Sequence, residues 1–202
     1  MSLEVIASKI RVCTKCILHK SRNLTVPGEG PLNAELMFVG EGPGASEDIQ
    51  GKPFAGLSGK FLDKLLNLIT LKREDIFIVN IVKCRPPGNR APTLNERNAC
   101  LPYLKEQILA IKPNIICTLG KTALETLTRE TSISKLHGTL ITKDNIELFP
   151  LYHPAAALHN PTLRPILESD MYKLKHILSR PKKLNPFENV DQTLDSFFHN
   201  GS

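Results

Sequence analysis

The sequence contains no tryptophan and only three tyrosines and eight phenylalanines among 202 residues. Flat side chains are scarce, so one that falls in a polar loop has to be accounted for. No apolar run approaches the roughly 18 residues a membrane-spanning helix needs, which excludes a helical membrane protein. The opening segment MSLEVIASKI has an acidic residue early and no long apolar stretch, unlike a signal peptide, and a cytoplasmic protein is expected. There is one C-x2-C pair and no second one, no internal repeat, and no complete Walker A motif. The Gly-Lys-Thr of LGKTA (119–123) lacks the upstream glycine at the required spacing.

The chain is long enough for one compact domain with a proper core. Its net charge is +6, and the charge is uneven: residues 1–180 carry 24 of the 26 Lys/Arg and 17 of the 20 Asp/Glu. A basic body of this kind favours polyanions such as nucleic acid, or is simply a solvated basic surface. From Pro181 the composition shifts, so a domain over 1–180 and a flexible tail over 181–202 are expected.

Four apolar runs read as strands: AELMFVG (34–40), IFIVNIV (76–82), NIICTLG (114–120) and ELFPLYH (147–153). They lack clean alternation, which suits strands covered on both faces. Helical patterns lie between them. In GLSGKFLDKLLNLITL an apolar stripe of Leu57, Phe61, Leu65 and Leu68 is expected. TLNERNACLPYLKEQILAI opens with Thr93 and has Glu96 three residues later, a capping box, while Pro102 predicts a late start or a kink. KTALETLT and ESDMYKLKHILS complete the set. The alternation predicts a three-layer α/β sandwich around a central, mostly parallel four-stranded sheet. Ligands of such sheets bind outside the carboxyl ends of the strands.

Three strand exits there combine glycine, proline and polar groups. GEGPG (40–44) is a poor dinucleotide fingerprint, but offers backbone N–H groups beside Glu41; it reads as a cradle for a planar carbonyl ligand or as a plain tight turn. Phe54, in GKPFAG, is either a core plug or a stacking platform for a base. Asn80 can present a donor and an acceptor to an amide-like edge, or cap a turn. His153 follows the fourth strand and is either a hydrogen-bonded surface residue or a functional one. Together these groups suit a flat heterocycle with carbonyl and imide edges.

The five cysteines sit poorly with a disulfide framework in a reducing cytosol. Cys13, Cys16, Cys84 and Cys100 form a C-x2-C … C-x15-C arrangement. A [4Fe–4S] cluster, a zinc ion or unliganded thiols all remain open on spacing. Cys117, inside a strand, reads as a core residue.

These motifs carry a resemblance. From about Cys13 to Leu178 the chain resembles the iron–sulfur (type-4) uracil-DNA glycosylases of archaea and thermophilic bacteria, through CxxC, VGEGPGASED, GKPFAGLSGKFLD, NIVKCRPPGNRAPTLNE…C and YHPAAALHNP…RP. The resemblance implies base excision repair: a deoxyuridine is flipped from DNA, its glycosidic bond is hydrolysed, and an abasic site is left. It places a structural [4Fe–4S] cluster on Cys13, Cys16, Cys84 and Cys100. It implies stacking by Phe54, reading of the imide edge by Asn80, donation from His153 to the uracil O2, and base contacts from the backbone around Gly40, Glu41 and Gly42. Better-known relatives have Asp at Gly42 and Tyr at Gly44, so the carboxylate that positions water is assigned to Glu41. Glu47 is a weaker choice for it, or a substitute for the missing Tyr that blocks a thymine methyl.

Beyond the site, Leu158 is expected to wedge into DNA and Arg164 to hold phosphate. DQTLDSFF (191–198) resembles a sliding-clamp-binding box imperfectly, with Leu194, Phe197 and Phe198 as its anchors. A monomer is expected. The alternatives are a redox-responsive iron–sulfur DNA-binding protein without glycosylase activity, and a glycosylase for another damaged base.

Overall fold

The computed structural model describes residues 2–180. Leu194, Phe197 and Phe198, on which clamp binding was expected, lie outside the described residues. The strands are β1 (Leu36–Gly40), β2 (Ile76–Asn80), β3 (Ile115–Leu119), β4 (Ile141–Lys143) and β5 (Ile146–Leu151). They form one sheet in the order β2-β1-β3-β5-β4, in which only β4 runs antiparallel to its neighbour. The expected sheet had four strands; the fifth is β4. It pairs with β5 through a two-residue turn at Asp144 and Asn145, both at positive φ (46° and 66°). Asp and Asn tolerate that conformation best among residues with a Cβ. The strand is only three residues long and half exposed, too short to leave an apolar signature.

Every residue of β1, β2 and β3 is buried. Alternate side chains enter two separate cores. Met37, Val39, Phe77, Val79 and Ile116 face one side; Leu36, Phe38, Ile76, Ile78 and Cys117 face the other. Both faces are apolar because both are covered, the condition for a parallel sheet. The helices are α1 (Leu3–Arg11), α2 (Ala45–Gln50), α3 (Leu57–Leu68), α4 (Leu94–Ile111), α5 (Lys121–Thr128), α6 (Ile133–Leu136), α7 (Pro154–His159) and α8 (Leu163–Leu178). Buried residues of α1, α4 and α5 line the first core, and those of α3, α7 and α8 the second. Among the described residues, no helix is long and apolar enough to cross a membrane.

Two helices differ from expectation. In α3 the buried stripe is Gly59, Leu62, Leu65 and Leu66, while Leu57 is 72% exposed. The helix is turned by Gly59, where a Cβ would lie 1.6 Å from the Phe54 carbonyl oxygen. Only glycine allows that approach, and it fixes which face meets the sheet. α4 runs unbroken through Pro102, which is exposed. Proline there has no N–H for the carbonyl four residues back. The expected capping box is present: Glu96 N donates to Thr93 Oγ1 (3.3 Å) and Thr93 N to Glu96 Oε2 (2.8 Å).

Candidate active site

The carboxyl ends of β1, β2, β3 and β5 open onto one cavity of about 420 Å³, within the size range of small-ligand pockets. Parallel register brings residues far apart in sequence side by side. Gly40 pairs with Asn80, and a Cβ at Gly40 would lie 2.4 Å from Asn80 Oδ1 and 2.8 Å from Phe54 Cζ. The missing side chain is what lets Asn80 and Phe54 share one wall. Glu41, Gly42, Glu47, Phe54, Asn80 and His153 all line the cavity.

Asn80 is 2% exposed, and its Oδ1 has no hydrogen-bond partner. A buried acceptor left unpaired is costly, and here it sits in a cavity wall. Phe54 is the core plug that its sequence context allowed, and it also reaches the cavity. Its ring belongs to the second core, is 5% exposed and lines the cavity. It stacks on the His153 ring with centroids 5.7 Å apart and planes 24° from parallel.

His153 caps α7. Its Nδ1 accepts from the Ala155 amide at 3.0 Å, so in the neutral ring the proton sits on Nε2. Removal from solvent lowers the His153 pKa to about 4, against a smaller opposing influence of Glu47. The ring is therefore neutral at physiological pH, and Nε2–H is its donor.

The two carboxylates differ. Glu41 Oε2 accepts a 2.5 Å hydrogen bond from Thr122 Oγ1. Glu47, 6% exposed, has both oxygens engaged: Oε2 accepts from Gly44 N (2.9 Å) and Oε1 from Gly56 N (2.8 Å). Glu47 thus fastens the glycine loop to the Phe54 loop.

Thr122 and Lys121 were missed in the sequence, where LGKTA stood out only as an incomplete Walker A motif. They follow β3 and line the cavity; the strand-exit rule that drew attention to the other loops applies to them equally. Leu158 and Arg164 do not line the cavity, although Ala155 and His159, on the same helix as Leu158, do. Leu158 is half-buried on α7. Arg164 Nε donates to the Ala157 carbonyl (3.3 Å), and its guanidinium lies 6.0 Å from the Phe61 ring centre.

Cys13, Cys16, Cys84 and Cys100 line a second, smaller pocket together with Lys15, Arg22 and Lys83. Cys117 lies in the second core, away from them. Burial pushes the Cys100 thiol up to about 11 and raises Cys84, where the Arg22 guanidinium partly opposes it. Yet donors point at both sulfurs: Arg22 Nη1 to Cys84 Sγ at 3.2 Å and Lys83 N to Cys100 Sγ at 3.3 Å. Four sulfurs on one pocket, with cations and N–H donors around them, suit an anionic thiolate-ligated group. Among the described residues, no group of three or more His, Cys, Asp or Glu is placed to hold a single metal ion.

Lys83 joins the two pockets. It is fully buried, its pKa is lowered to about 8 chiefly by burial, and its Nζ donates to the Asn80 carbonyl at 2.7 Å. The loop from Cys84 to Cys100 also supplies Pro86, Asn89 and Arg90 to the larger cavity.

An open α/β sheet here carries a neutral imidazole, an unpaired amide oxygen, a ring and a carboxylate around one cavity at its strand ends, where such sheets bind their ligands. Residues 27–175 match the family model of the uracil DNA glycosylase superfamily. The chain is 49% identical to a type-4 uracil-DNA glycosylase of Saccharolobus solfataricus, over 92% of this chain and 91% of that one. It is 42% identical to the type-4 enzyme of Archaeoglobus fulgidus, over 89% and 94% of the two chains, and 40% identical to that of Thermotoga maritima, over 88% and 95%. The chain belongs to the uracil DNA glycosylase superfamily, and within it to the type-4 uracil-DNA glycosylases.

Proposed function

We propose that this protein is a DNA repair glycosylase that takes a deoxyuridine out of DNA into the 420 Å³ cavity, hydrolyses the bond from base to sugar, and leaves an abasic site. The observation that carries the reading is the buried, unpartnered Asn80 Oδ1 beside the Phe54 ring. Uracil supplies what that wall lacks: N3–H for Asn80 Oδ1, O4 for the Asn80 amide N–H, and a flat face for Phe54. The neutral His153 donates Nε2–H to O2. As the N1–C1′ bond breaks, its electron pair moves into the uracil ring, and this donor stabilises the charge gathering on O2. Water adds to C1′ of the cationic sugar. Glu41, steadied by Thr122 at Oε2, has its other oxygen to orient that water and take its proton. Glu47 contributes by holding the two loops in place.

Cys13, Cys16, Cys84 and Cys100 would hold a [4Fe–4S] cluster. Held there, such a group would tie the N-terminal segment to the loop that supplies Pro86, Asn89 and Arg90 to the cavity, and the hydrolysis is carried by the residues named above. Around the mouth, Leu158 would fill the vacated stack and Arg164 would offer its guanidinium to phosphate.

The test is incubation with an oligonucleotide containing a single deoxyuridine, followed by alkali and by detection of free base. Uracil release with strand scission at that position is expected from the wild-type protein. Asn80→Ala should release it at least about a hundredfold more slowly, having lost the groups that read the base. DNA binding without base release, with an affinity that depends on the cluster, would favour the redox-responsive DNA-binding reading instead. A panel of other damaged bases, cleaved faster than uracil, would establish a different substrate.

A further inference from the structure

Phe54 has φ of 51°, in the left-handed region. That conformation is unfavourable for a bulky residue and persists only where the surroundings enforce it. The enforcing group lies 19 residues further along the chain. Arg73 sits in the short 3₁₀ turn Arg73–Asp75 that leads into β2. Its Nη1 donates to the Phe54 carbonyl (3.0 Å) and to Asp63 Oδ1 (3.1 Å). Its Nη2 donates to the Pro53 carbonyl (2.5 Å) and to Glu29 Oε1 (3.2 Å). One planar guanidinium therefore grips two successive carbonyls of the strained turn and is itself held by two carboxylates on other segments. Asp63 belongs to α3. Glu29 is anchored on β2 by backbone hydrogen bonds in both directions with Ile78. Gly59 also packs directly against the Phe54 carbonyl.

From this geometry we infer that Arg73 is the positioning residue of the Phe54 ring. It locks the left-handed turn that directs the ring into the cavity beside Asn80 and His153, and touches no substrate itself. Only a forked, planar donor set reaches four acceptors at once. The inference rests on the reading of Phe54 as the surface on which the base stacks.

The experiment measures kcat and KM on a deoxyuridine oligonucleotide, inhibition by free uracil, and thermal unfolding, for Arg73→Met, Phe54→Ala and the double variant of the full chain. If Arg73 acts through the ring, Arg73→Met lowers kcat about tenfold and weakens uracil inhibition about tenfold, with KM for DNA nearly unchanged, the pattern of a misplaced group. In the Phe54→Ala background the same substitution changes either quantity by less than about twofold, because the ring it steadied is gone. Arg73→Lys keeps the charge but loses the fork; it should show a partial defect, and it serves where Arg73→Met does not fold. Unweakened uracil inhibition in a folded Arg73 variant, or an undiminished defect in the Phe54→Ala background, overturns the inference alone. Wild-type kcat and uracil inhibition in Phe54→Ala would overturn the stacking reading, and the inference with it.

Discussion

At His153, one hydrogen bond and removal from water decide where a proton sits. Nδ1 is occupied by the Ala155 amide, so charging the ring would force a second donor against that N–H. The folded-state pKa of about 4 lies below the ordinary value near 6.5, so between these values the unfolded chain binds the extra proton. The stability that depends on a neutral ring is then fully present above about pH 6.5 and is lost as the pH falls toward about 4. Urea unfolding at pH 7 and at pH 4.5 should show this loss in the wild type and a shallower one in His153→Gln. Equal losses in the two proteins would mean that His153 does not titrate as described.

At the scale of elements, the cavity walls are short loops fastened by buried carboxylates. Glu47, on α2, accepts one amide from the loop before it and one from the loop carrying Phe54. Glu96, on α4, caps its own helix through Thr93 and takes both Arg90 terminal nitrogens at 2.8 and 2.7 Å. Arg90, first, and Thr93 hold its pKa down to about 2 against burial. Glu47→Gln keeps the shape but replaces one acceptor oxygen with a donor that faces an amide. It should cost roughly 1–3 kcal/mol, the usual result of leaving a buried partner unsatisfied. Amide hydrogen exchange should quicken at Gly44 or Gly56 and not in the sheet. Unchanged exchange at both glycines would remove Glu47 from its role as the fastener.

Over the whole molecule, the two pockets share a backbone. β2 ends at Asn80, Lys83 reaches back to its carbonyl, and the next residue is Cys84. The loop that follows, before α4 carries Cys100, lines the larger cavity with Pro86, Asn89 and Arg90. If four cysteines hold an iron–sulfur cluster, Cys100→Ala should lose the visible absorption of the purified protein, and its unfolding temperature should fall. Cys117→Ala should keep the absorption in full and show only the modest loss expected from a small core cavity. Equal absorption in wild type and Cys100→Ala would exclude Cys100 as a ligand.

Much of this was readable along the chain. The four apolar runs became strands, because an apolar segment of five or six residues flanked by glycine and polar loops has few other ways to bury itself. Thr93 and Glu96 formed their box, because that bond pattern is closed within four residues. The strand ends already held Glu41, Asn80 and His153, and the polar loop after α2 held Phe54. Of the expected α3 stripe only Leu65 is fully buried, since which face of the helix turns inward depended on Gly59 meeting a carbonyl five residues before it. β4 was too short and too exposed to leave a pattern.

What the sequence determined alone was local and periodic: strand and helix positions, caps, and the residue types at the strand ends. The tertiary structure decided what those types are able to do. Parallel register set Gly40 against Asn80 and left its Oδ1 unpaired. Burial and a single amide kept His153 neutral. Packing gave Glu47 to the backbone and left Glu41 with Thr122, and brought Arg73 to two carbonyls near Phe54. Each of these depends on distances between segments far apart in the chain, and hydrogen bonds and desolvation act over only a few ångströms of space.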